Sequence, residues 1–300
     1  MRAIVLCSLF AVAASISPWV VQMKIDYGGC GQRNPPLYRE DLDPYVVGGS
    51  EAPPYTFPFV CALYYGSSQI CGGSLIRNLA GNYWFVTAAH CVSGTLSSFS
   101  IRCGVHNLQS SSQPFEFKPT IQARIIHESY SSASLKNDIA LFRLSQTGFP
   151  RDRIGAVCIP TQDYVAGENS TVIGWGLLRE GGSSSSTLQQ ASKPIVSDAT
   201  CRTAYGSSFD ANTMVCAGVY PTGGIDACQG DSGGPLVVQR NGELHLVGIV
   251  SWGYGCARPN YPGCVLRCAE AQELAEHQDQ CLIPRLSEPH LAVAPLSARS

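Results

Sequence analysis

Three short segments carry residue types that together perform nucleophilic chemistry. The first is Gly230-Asp231-Ser232-Gly233-Gly234-Pro235, entered from Cys228-Gln229. A serine hydroxyl is a poor nucleophile at its free pKa and requires a nearby base. Flanking glycines permit a tight turn and bring backbone N–H groups toward a bound carbonyl. Taken alone, the segment also reads as a Gly-Ser turn between strands. The second is Thr87-Ala88-Ala89-His90-Cys91, directly after an apolar run. Histidine exchanges a proton near neutral pH, which is what such a base must do. The other histidines, His106, His127, His245, His277 and His290, lack a comparable setting. The third is Asn137-Asp138-Ile139-Ala140-Leu141. An aspartate entering a buried apolar strand is costly unless it accepts hydrogen bonds. Orienting an imidazole supplies them; a strand-end turn is the plainer alternative.

The elements that must position these residues are short. The 300-residue chain is 45% hydrophobic and only 14% charged, with 30 glycines and 19 prolines. That composition excludes a coiled coil and a wholly disordered chain. A net charge of −2 gives no basis for a nucleic-acid partner. Apolar runs rich in β-branched and aromatic residues predict strands at Phe59–Tyr65, Trp84–Thr87, Ile121–Ile126, Ile139–Leu144, Thr171–Trp175, Leu236–Arg240 and Leu244–Trp252. Asn241-Gly242 between the last two signals a tight hairpin. Ser197 is positioned to cap a short helix through Tyr205, and Ala269–Gln280 has helix-forming composition. Strands do not alternate with long helices, which argues against a parallel α/β sheet. The Gly181–Ser186 run reads as an exposed loop rather than an interdomain linker.

Fourteen cysteines point to an oxidising compartment and structural disulfides. Metal binding is the rival reading, but no tight Cys-x-x-Cys pair is present. Met1-Arg2 followed by the apolar Ala3–Ala14 reads as a secretory signal peptide, cleaved near residues 13 to 17. It is too short for a membrane span of about 20 residues. The expected organisation is a signal peptide at 1–17, a pro-segment at 18–45, a catalytic domain at 46–281 and a tail at 282–300. Cys7 leaves with the signal and thirteen cysteines remain, so at least one is free or pairs between chains. Asn169-Ser170-Thr171 is a glycosylation sequon. The expected localisation is secreted and extracellular.

Together the three segments resemble the trypsin/chymotrypsin family of serine proteases. The signatures TAAHC, NDIAL and GDSGGP are intact and in the family's His–Asp–Ser order. Val46-Val47-Gly48-Gly49 is similar to the family's mature N-terminus, and Cys71-Gly72-Gly73-Ser74-Leu75, Gly174-Trp175-Gly176, Ser251-Trp252-Gly253 and Pro262-Gly263 also fit. The resemblance spans about residues 46 to 268. It implies an all-β fold of two packed six-stranded antiparallel β-barrels with a short C-terminal helix. It also implies Ser232 as nucleophile, His90 as general base and acid, Asp138 as its orienter, and the N–H groups of Gly230 and Ser232 as the oxyanion hole. Gly230-x-Ser232-x-Gly234 also fits an α/β-hydrolase elbow, but that fold needs its Asp and His after the serine, where only 68 residues remain. A binding module that has lost catalysis is a third class; such proteins usually lack a triad residue, and none is missing here.

By the same resemblance, Asp226 lies at the base of the specificity pocket, walled by Ser251, Trp252, Gly253 and Gly263. Asp226 there implies cleavage after Arg or Lys; its plainer role is to cap a loop. Cys264-Val265 follows Gly263 where relatives commonly carry Val-Tyr. Val105 replaces an acidic residue of the trypsin calcium loop, so no calcium, other metal or cofactor is expected. The implied disulfides are Cys71–Cys91, Cys201–Cys216, Cys228–Cys256 and Cys30–Cys158, the last tethering the pro-segment. The pairing of Cys61, Cys103, Cys264, Cys268 and Cys281 is left open, with Cys61–Cys103 across two strands of the first barrel as one option. Cleavage before Val46 would free an ammonium to pair with Asp231. The residue before that bond is Tyr45 rather than Arg or Lys. An Arg/Lys-directed pocket binds tyrosine poorly, so a separate, chymotrypsin-like activating protease is expected; a bond never cut, leaving a dormant zymogen, is the alternative. The expected partners are protein or peptide substrates, the activating protease and, as a further class, protein inhibitors, with no membrane span.

Overall fold

The computed structural model describes residues 29–34, 49–78, 80–146, 148–149 and 153–268. Tyr45, Val46, the expected signal peptide, the Ala269–Gln280 segment and Cys281 lie outside them. The first half of the described chain holds β1 (Ser50–Glu51), β2 (Val60–Tyr65), β3 (Ser68–Arg77), β4 (Tyr83–Thr87), β5 (Phe99–Cys103), β6 (Ile121–Ile126) and β7 (Ala140–Leu144). The second half holds β8 (Asn169–Gly174), β9 (Gln189–Val196), α1 (Asp198–Tyr205), β10 (Met214–Ala217), β11 (Pro235–Arg240), β12 (Glu243–Trp252) and β13 (Gly263–Arg267).

Two antiparallel sheets result. One runs β5-β2-β3-β4-β7-β6 and curls around its own core. The other runs β1-β9-β10-β13-β12-β11-β8, and a further β8–β9 pairing closes six of its strands into a barrel. The fold is thus the two-sheet all-β architecture implied by the resemblance, with the second sheet fully closed and the first curled. Trp84, Trp175, Phe59, Phe85 and Phe142 are fully buried between and within the sheets. Each such aromatic removes 150–250 Å² from water, which outweighs the low strand propensity of the glycine-rich stretches.

All seven strands expected from apolar runs are present to within two residues. Asn241 and Gly242 form the β11–β12 hairpin with φ of 53° and 86°, the left-handed pair that a two-residue turn demands. The α1 start is local chemistry. Ser197 Oγ accepts from Thr200 N at 3.2 Å, and Gly206 ends the helix at φ 57°. The strands absent from the sequence reading are β1, β3, β5, β9, β10 and β13. Cys71-Gly72-Gly73-Ser74 in β3 has turn composition, and Lys193-Pro194 interrupts β9. Their hydrogen bonds come from neighbours far along the chain. β9, for example, lies between β8 and β10.

Five disulfides staple this framework: Cys30–Cys158, Cys61–Cys103, Cys71–Cys91, Cys201–Cys216 and Cys228–Cys256. The first docks residues 29–34 onto the second sheet. There Gly31 N donates to Ala156 O, and Leu244 N donates to Gly31 O, both at 2.8 Å. Cys264 is a buried thiol 3.6 Å from Cys216 Sγ.

Candidate active site

Strand register brings the three signature segments to one place. β4 pairs with β7 so that Thr87 faces Ala140. His90, three residues past β4, and Asp138, two residues before β7, therefore emerge at the same edge. β11 pairs with β12 so that Pro235 faces Ile249, which puts Ser232 and Ser251 at one edge of the second sheet. The edges are joined directly: Gly72 N of β3 donates to Ser232 O at 2.8 Å.

Asp138 is fully buried and is satisfied by three donors. His90 N reaches Oδ1 at 2.8 Å, His90 Nδ1 reaches Oδ2 at 2.7 Å, and Ser251 Oγ donates to Oδ2 at 2.5 Å. The carboxylate holds the Nδ1–H tautomer and leaves Nε2 as the acceptor. The His90 side chain is 28% exposed, open to substrate yet pinned from behind. No hydrogen bond joins His90 Nε2 to Ser232 Oγ in this unliganded structure; such bonds often tighten only when substrate is bound.

The Ser232 turn runs through glycines with left-handed backbone. Gly230 adopts φ 95° and Gly233 φ 77°, and a Cβ on Gly233 would lie 2.1 Å from Thr87 Oγ1. A side chain there would push the nucleophile turn off the histidine segment. The N–H groups of Asp231, Gly233 and Gly234 donate to Cys228, Val250 and Asp231 carbonyls. Those of Gly230 and Ser232 donate to no protein acceptor among the described residues. Asp231 is buried. Its Oδ1 accepts from Gly176 N at 2.8 Å and its Oδ2 from Cys228 N at 2.9 Å. Burial pushes its carboxyl up to about 6, against those two hydrogen bonds.

The profile of the Trypsin family matches residues 46–274. Trypsin-1 of Astacus astacus is 41% identical over 226 residues, covering 73% of this chain and 93% of that protein. Trypsin of Xenopus laevis is 40% identical, covering 74% and 85%. The proclotting enzyme of Tachypleus tridentatus is 37% identical, covering 77% and 66%. The chain belongs to the trypsin family. It is a serine endopeptidase by that membership.

In this trypsin-family chain a cavity of about 180 Å³ opens beside Ser232, between Cys228-Gln229 on one side and Ser251-Trp252-Gly253 on the other. Asp226 stands in it, 4% exposed. A Cβ on Gly263 would sit 2.4 Å from Asp226 Oδ1, so Gly263 permits the carboxylate's position. Gly253 has no atom closer than 3.7 Å to its would-be Cβ, which keeps the wall beside it open. The sequence reading has Asp226 waiting for a substrate cation. The structure differs: Lys193 Nζ already contacts Asp226 Oδ1 at 2.5 Å, and the Lys193 side chain has no exposed surface. Lys193 is absent from the sequence reading because β9 is. Its signal is a lysine in the inward phase of the Gln189, Ala191, Lys193, Ile195 alternation.

Val105 is buried, and its loop is closed by Gln113 Oε1, which accepts from His106 N and Asn107 N. Among the described residues, Cys71 with His90 and Cys91, and Cys158 with Glu243 and His245, have metal-like proximity. Their cysteines are all in disulfides and offer no thiolate.

Proposed function

We propose that the chain is a secreted zymogen whose active form hydrolyses peptide bonds through an acyl-enzyme on Ser232. The supporting observation is the buried Asp138 holding His90 Nδ1 at 2.7 Å beside a serine turn with two unused N–H donors. Ser232 Oγ attacks the carbonyl carbon while His90 Nε2 takes its proton. The oxyanion is held by the N–H groups of Gly230 and Ser232. His90 then passes the proton to the departing amine, and water repeats the sequence to release the acid. Asp138 holds the ring and stabilises the imidazolium, and Ser251 keeps Asp138 oriented. A fluorophosphonate probe tests this reading. It labels Ser232 of the cut protein, and labelling of Ser232→Ala at the wild-type level would refute it.

Activation proceeds by cleavage before Val46, whose new ammonium pairs with Asp231. Secretion agrees with the apolar N-terminus and five disulfides. Asn169, exposed at the first position of β8, is the glycan site. Because Cys30 is bonded to Cys158, the cut pro-segment stays attached. On cleavage before Val46 the protein is expected to keep its mass under non-reducing conditions and to release the segment ending at Tyr45 on reduction. Release of that segment without reductant would refute the tether, and N-terminal sequencing of the cut chain is expected to read Val-Val-Gly-Gly.

A further inference from the structure

Lys193 alters the pocket that the protease reading assigns to substrate. Four of its features are independent. Its ammonium lies 2.5 Å from Asp226 Oδ1, its side chain is completely buried, it lines the cavity beside Ser232, and it belongs to the chain rather than to a substrate. A buried carboxylate demands a cation or several hydrogen bonds. Asp226 has both already, since Oδ1 also accepts from Ala227 N at 2.8 Å. An arginine or lysine entering the cavity finds a carboxylate whose charge is cancelled, and meets the like charge of Lys193 at the same point.

We infer that Lys193 is a built-in counter-ion that makes the pocket select an uncharged, aromatic side chain before the scissile bond. The inference rests on the protease reading and on Asp226 as the pocket base. The cavity's volume, about 180 Å³, suits one ring; an apolar cavity of about 150 Å³ accepts benzene. Val250, Trp252 and Val265 contribute apolar walls. At the base, Asp226 Oδ2 accepts, among the described residues, only from Ala257 N, at 3.4 Å. A tyrosine hydroxyl donating to Oδ2 improves that acceptor's satisfaction, whereas a phenylalanine only fills the space. The chain's own Tyr45, immediately before Val46, is a side chain of the selected kind. The activating cut is then within the reach of a second, already active copy of this chain, and the separate protease expected from Tyr45 is not required.

The test compares matched peptide amides differing only in the residue before the scissile bond, using enzyme cut before Val46. Wild-type kcat/KM is expected to favour Tyr and Phe over Arg and Lys by at least 100-fold. Lys193→Met removes the cation at similar length and is expected to reverse the order, raising kcat/KM for Arg substrates at least 100-fold. It is also expected to create binding of benzamidine, a ring bearing a cation, which the wild type lacks at millimolar concentration. Lys193→Met leaves a buried unpaired carboxylate, which is strongly destabilising. The neutral pair Lys193→Met/Asp226→Asn is therefore measured too and is expected to keep the aromatic preference. A wild type that prefers Arg or Lys, or that binds benzamidine, overturns the inference whatever the variants do. A wild type that neither labels with fluorophosphonate nor cuts any of the amides refutes the protease reading instead.

Discussion

Ser232→Ala is expected to lower kcat about 10⁶-fold while KM changes little, the size seen when the nucleophile of a convergent triad is removed. KM is spared because Ser232 is one lining residue of a cavity that Asp226, Cys228-Gln229 and Ser251-Trp252-Gly253 also form. The residual rate over water comes from the Gly230 and residue-232 N–H groups, which the substitution leaves in place. Asp138→Asn is the informative companion. Asp138 Oδ2 accepts two protons, from His90 Nδ1 and Ser251 Oγ. An amide cannot accept both through its NH₂ end. If that end meets His90, the ring shifts its proton to Nε2 and can no longer take one from Ser232. The family's triad template loses about 10⁴-fold for this change, and the same is expected here. Single-turnover rates and active-site titration measure both effects. More than one per cent of wild-type kcat remaining in either variant would sink the assignment.

Asp231→Asn is expected to have the second-largest effect, on stability before cleavage and on activity after it. In the folded chain burial holds this carboxyl at about 6, above its ordinary 3.8. The folded state therefore binds the proton more tightly than the unfolded state. This carboxyl's contribution to stability is greatest below pH 4 and is lost as pH rises from about 4 to about 6. The difference is worth roughly 3 kcal/mol at ~1.4 kcal/mol per pH unit. Denaturant unfolding of the uncut protein across pH 3 to 8 measures this, with Asp231→Asn as the reference that lacks the titration. Wild type minus variant should decline through that window and be flat above it. After cleavage, an ammonium paired with Asp231 favours the ionised form, so the decline should shrink or reverse. The cut Asp231→Asn protein, lacking that pair, should lose most activity because the turn from Gly230 to Gly233 is anchored through this side chain to Gly176 and Cys228. Superimposable pH profiles for uncut wild type and variant would overturn the account.

The sequence by itself determined the local elements and marked the groups proposed to react. Ser232 between glycines, His90 after an apolar strand and Asp138 before one are recognisable because each needs only its immediate neighbours. The same holds for α1, whose Ser197 cap is three residues from its donor, and for the Asn241-Gly242 hairpin. What the tertiary structure decided are pairings between residues far apart in the chain. Ser251 reaches Asp138 across 113 positions, and Gly72 N reaches Ser232 O between the two sheets. The ion pair between Lys193 and Asp226 belongs to this second class. Lys193-Pro194 reads as a polar break in an otherwise weak segment, because a lysine and a proline each argue against a central strand. Pairing of β9 with both β8 and β10 overrides that local preference. Once the barrel closes, strand alternation points Lys193 inward with Ala191 and Ile195. An ammonium in that position must find an anion, and Asp226 provides it across 33 residues.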